Sequence, residues 1–139
     1  MTEELKSLAP TLAAVKANNL SGGARGVAEW VNGLQPGEFD KAMPAPIAAV
    51  MLENARTLHL QSSSKPSPPL ACAHLAPIYS PTTDAKGMQT RPYFELIADA
   101  VARCIPGSKT ILFPEATHAA RVQNPQGFNE AVLSFMRNQ

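Results

Sequence analysis

The chain has 139 residues, with 12 Lys and Arg against 11 Asp and Glu for a net charge of +1. It lacks a basic run able to release many counterions from a phosphate backbone, so nucleic acid is not an expected partner. Its longest apolar stretches, such as APIAAVML, fall short of the roughly 20 residues that span a bilayer, and the opening MTEELKSLAP carries acids where a secretion signal carries bases. No membrane partner and a cytoplasmic location are therefore expected.

The first third reads as helices in pieces. Leu5, Leu8, Leu12 and Val15 recur at helical spacing, with Pro10 separating a first turn from a helix that ends at Asn18-Asn19-Leu20. Ser21 is the expected N-cap of a second helix, whose face is Val27, Trp30, Val31 and Leu34 and whose end is Pro36-Gly37. The Gly22-Gly23 pair weakens its first turn. From Ile47 to Leu58 apolar residues return every three or four positions, as one amphipathic helix requires.

Residues 61–69, QSSSKPSPP, have no apolar period and read as a linker between a helical segment, 1–60, and a second segment, 70–139. Beyond it the order changes to strand, helix, strand, helix. The strand candidates are one short stretch within ACAHLAPIYSPTTDAKG and KTILFPE. The helices are PYFELIADAVARCI, with Phe94, Ile97, Ala98, Val101 and Ile105 inward, and a last helix opening at Pro125 or Gln126, with Phe128, Val132, Phe135 and Met136 inward. That order is the grammar of a small parallel α/β layer. Cys72 and Cys104 show neither CxxC nor zinc-type spacing, so they are expected as buried reduced thiols. No metal or cofactor is expected, because His59, His74 and His118 lie too far apart for a local ligand motif.

The strings PTTDAKG, IPGS, PEATH and NPQGFNEAVLSF occur in that order between Pro81 and Phe135. Together they resemble the C-terminal end of the α/β-hydrolase fold, in its esterase and lactonase-like group with a helical cap. Residues 24–58, with ENARTL, look like cap helices of the same group. The resemblance implies a mostly helical α/β fold, a cap-like segment plus the last strand–helix–strand–helix of the hydrolase, completed by oligomerisation because two parallel strands leave open edges. It also implies that His118 is the general base, oriented by Asp84 or Glu115, and that Trp30, Phe39 and Met51 line a pocket for a small apolar ester-like molecule.

The match has two departures. No GxSxG occurs, so the strand-to-helix elbow that exposes a serine nucleophile is absent, and no HGG-type oxyanion segment is present. The strand after Pro81 is polar, with Thr82, Thr83, Asp84 and Lys86 where a strand covered on both faces is apolar. Burying Asp84 or Lys86 unpaired costs several kcal/mol, so this strand is expected to be short, at an edge, or lost. Two functions fit: a weak ester or lactone hydrolase using His118, and a non-catalytic remnant that binds an apolar ligand or a protein partner.

Overall fold

The computed structural model describes residues 6–65 and 67–138; Leu5, in the expected first turn, lies outside them. The chain divides into two compact units between Ser67 and Pro68, inside the stretch read as a linker. Among the described residues it is a mostly helical α/β protein with one two-stranded parallel sheet.

The first unit holds α1 (Ala9–Lys16), α2 (Leu20–Asn32), α3 (Phe39–Ala42), α4 (Ala45–Glu53), a 3₁₀ turn (Asn54–Arg56) and α5 (Thr57–Ser63). Pro10 sits in the first turn of α1, where a missing N–H costs nothing. Asn18, at φ 61°, turns the chain out of α1. The cap of α2 is Asn19, not the expected Ser21. The helix starts at Leu20, so the Asn19 side chain is the one placed to accept the Gly22 N–H at 2.9 Å.

The glycines of α2 have a use that the propensity argument missed. A Cβ at Gly23 would collide with Val15, and one at Gly26 with Thr11, so their absence lets α1 lie directly on α2. The expected single helix from Ile47 to Leu58 breaks at Asn54. The Asn54 amide donates to the Val50 carbonyl at 2.9 Å, while the Thr57 hydroxyl donates to the Asn54 carbonyl at 2.9 Å. Such side-chain bonds compete with the helical ladder.

Phe39 and Trp30 sit in the core of this unit with Val15, Ala24 and Ala28. Buried Glu29 accepts the N–H groups of Gly37 and Phe39 at 2.8 and 3.0 Å, which fastens the loop before α3. Arg25 spans Asp40 with two hydrogen bonds, at 3.2 and 3.1 Å, and its guanidinium lies 5.4 Å from the centre of the Phe39 ring.

The second unit holds α6 (Cys72–Leu75), β1 (Thr83–Gly87), α7 (Pro92–Cys104), β2 (Lys109–Phe113), α8 (Ala120–Gln123) and α9 (Pro125–Arg137). β1 and β2 run parallel with Ala85 opposite Ile111. Side chains alternate across the pleat. Thr83, Ala85, Ile111 and Phe113 meet Phe128 and Phe135 of α9 around a cavity of 180 Å³. On the other face Lys86 reaches Asp99 and Glu95 of α7, the latter at 3.8 Å. The core is Phe113, Ala116 and Ala120, with Phe113 and Phe128 ring centres 5.9 Å apart.

The polar strand is kept, short and at an edge. Its Lys86 is held by the Asp99 hydrogen bond, which together with the charges of Asp99, Glu95 and Asp84 raises its pKa against the opposing effect of burial.

The expectation of reduced thiols is overturned. Cys72 at the start of α6 is bonded to Cys104 at the end of α7, with Cα atoms 4.9 Å apart across 32 residues of sequence. Cys72 is exposed and Cys104 half-buried. Spacing along the chain did not reveal that α6 returns to the end of α7. Such bonds persist in oxidising compartments. No helix among the described residues is long and apolar enough to cross a membrane.

Two stability outcomes follow from this packing. Glu29→Ala should lower the urea unfolding free energy by about 2–4 kcal/mol, since two N–H groups lose their acceptor, and Glu29→Gln should lose less. Replacing Cys72 and Cys104 together by serine should cost about 3–4 kcal/mol, the chain-entropy value for a loop of this length. Thermal unfolding with and without reductant checks it.

Candidate functional site: a groove beside the open edge of β1

His118 lies on the turn between β2 and α8, and that turn is pinned by β1. The Met88 and Gln89 N–H groups, just past β1, donate to the Phe113 and Ala116 carbonyls at 3.0 and 2.9 Å. Gly87 permits this approach. A Cβ there would fall on the Ala116 and Thr117 carbonyl oxygens, backbone atoms that cannot swing aside. On the far side the Gln123 side-chain oxygen accepts from the Thr117 N–H at 2.8 Å and from its hydroxyl at 3.1 Å, closing the turn onto α8.

The groove at this turn has a volume of 410 Å³. Ile97 and Val101 of α7, Phe128 of α9 and the strand residues Asp84 to Gly87 form its sides, and His118 and Arg121 stand at the turn. The His118 ring packs against Phe94, centres 4.4 Å apart and tilted by 32°. Its pKa is lowered, first by burial and then by the Arg121 charge. The imidazole is therefore neutral at pH 7 and able to accept a proton.

The carboxylates expected to orient that ring do not do so. Among the described residues neither Asp84 nor Glu115 hydrogen-bonds or ion-pairs with His118. Asp84 shares the groove, where its buried Oδ2 has no hydrogen-bond partner, like the Thr90 hydroxyl nearby. Glu115 is exposed on the turn.

The residues expected to bind substrate belong to the other unit. Trp30 is 9 % exposed and donates its indole N–H to the Ser7 hydroxyl at 2.9 Å, while Phe39 is 1 % exposed. Both serve the core. Met51 is half-buried on α4. His59 and His74 have local roles: the His59 ring pairs with the Asn18 side chain at 3.0 Å, and His74 accepts the Ala71 N–H at 3.2 Å at the start of α6.

Arg121 and Thr90 were missed in the sequence. Nothing in the spacing of charged or hydroxyl residues marks them. Phe94 was placed on the inward face of its helix, but periodicity alone does not say that it faces a histidine.

No protein-family model, curated protein or solved structure matches this chain. The hydrolase resemblance thus stands on the quoted motifs alone.

The lowered His118 pKa fixes a sign for pH dependence. Between that value and the ordinary imidazole value of about 6.5, the unfolded chain binds more protons, so stability rises with pH. Acidification from neutrality should lower the unfolding midpoint of the wild type more than that of His118→Gln. The His118 ring protons should titrate below the ordinary value in NMR, and Arg121→Gln should move the midpoint upward.

Proposed function

We propose that this chain is a non-catalytic interaction module, a hydrolase-like α/β layer that docks a partner along the open edge of β1 and its apolar groove. The observation that supports this reading is the isolation of His118. It faces Phe94 and Arg121, with neither Asp84 nor Glu115 bonded to its ring among the described residues. A triad base works through a nucleophile on one side and an orienting acid on the other. Here the ring has the apolar packing of a surface that awaits cover, and the strand beside it is open along one edge.

A second reading is favoured by one observation, the neutral imidazole beside a groove with apolar walls. His118 would then take a proton from water attacking a small ester or lactone. General-base catalysis alone contributes roughly 100-fold to 10,000-fold, so turnover would be slow.

Hydrolysis of a short-chain p-nitrophenyl ester separates the two. With the interaction module, purified protein and a folded His118→Ala variant should both run at the background rate. Activity above background that disappears in the variant would replace this reading with the hydrolase.

A further inference from the structure

α9 lies over the sheet without closing on it. Phe128, Ala131, Val132 and Phe135 recur at helical spacing and form the face turned to the strands. Yet no residue of α9 is buried, and Val132 is 40 % exposed. Interiors are normally packed without voids. Here the 180 Å³ cavity remains between that face and Thr83, Ala85, Ile111 and Phe113, and apart from Thr83 every side chain around it is apolar.

The cavity continues toward the start of the strands. A second pocket, of 470 Å³, shares Thr83, Ile111, Ala131 and Phe135 with it and reaches Pro81, Gly107 and Lys109. Its volume falls within the roughly 300–1,000 Å³ of small-molecule sites. Alternation along β2 puts Lys109 on the same face as Ile111 and Phe113. A cation thus stands at one end of the slot and the Phe113 ring at the other, about 13 Å further along the strand.

Two other polar side chains at the mouth are already engaged. The Thr82 hydroxyl donates to the Ser80 carbonyl and the Asn138 amide to the Ser134 carbonyl, each at 2.9 Å. The Lys109 ammonium pairs with no carboxylate among the described residues.

We propose that this slot binds a medium-chain carboxylic acid, its hydrocarbon tail between the sheet and α9 and its carboxylate on Lys109. A dry apolar cavity of about 150 Å³ accepts the six carbons of benzene, so this one takes a tail of roughly six to eight. The charge at the mouth selects the head group, because a fatty amine would set ammonium against ammonium. This goes beyond the interaction reading, since the slot lies on the face of the sheet turned to α9 and needs no partner on the edge of β1.

Titration calorimetry on the full chain, with octanoate as the probe, tests it. Octanoate should bind once per chain and shift the Ala85, Ile111 and Ala131 methyl resonances. Each CH₂ withdrawn from water tightens binding by about fourfold, so hexanoate should bind about tenfold more weakly. Octylamine, with the same tail and the opposite charge, should bind at least about tenfold more weakly than octanoate. Lys109→Gln should weaken octanoate while leaving octan-1-ol unchanged, and Ala131→Leu, which fills the slot, should abolish both. Lys109 is exposed, so its variant carries the test should Ala131→Leu unfold. No saturable binding below about 10 mM overturns the proposal, as does equal affinity for octanoate and octylamine, or binding that shifts resonances elsewhere and withstands Lys109→Gln. A chain that sediments at the mass of two copies and excludes octanoate also overturns it, the slot then being covered by a second copy.

Discussion

The second unit depends on five parallel residue pairs, Thr83 to Gly87 against Lys109 to Phe113. Two parallel strands need a crossover, and α7 supplies it. Two strands also give little area to pack against, so the surrounding elements are fixed largely by contacts at the strand ends. Gly87 is the most constrained of these positions. It allows the chain after β1 to bond to the turn after β2, which sets where His118 stands. The site is thus an outcome of backbone approach more than of side-chain recognition.

Charge on a strand shapes the rest. Lys86 is 14 % exposed and its ammonium lies among Asp99 and Glu95 on α7. Asp84, two residues earlier on the same face, has a buried Oδ2 without a hydrogen bond. A fully covered sheet would not tolerate that difference, since a carboxylate without a partner is costly to bury. An edge tolerates it. The polar strand and the open edge are therefore two aspects of one condition, and both set this layer apart from the doubly covered parallel sheets that its motifs resemble.

Much of the architecture was legible in the sequence because it rests on local rules. Pro10, Pro92 and Pro125 open helices where they were expected to, and the alternation after residue 70 announced a parallel pair. What escaped were effects that join distant residues. Nothing local says that Asn54 will interrupt a periodic helix, or that Gly23 and Gly26 mark a helix crossing. The cysteine pair is the clearest case, because 32 residues of spacing look uninformative until β1 and α7 fold back. For the site, the motif placed His118 on its turn, yet the absence of a carboxylate on its ring depends on where Asp84 and Glu115 point, which periodicity does not encode.

The bond between Cys72 and Cys104 encloses β1 and α7 in one covalent ring. Exchange of elements between copies, the usual hazard of an open strand, needs a hinge from which a segment can swing out alone. Inside the ring neither β1 nor α7 has such freedom; they leave together or remain together. The oxidised chain is thus held against such exchange, and reduction would remove that safeguard.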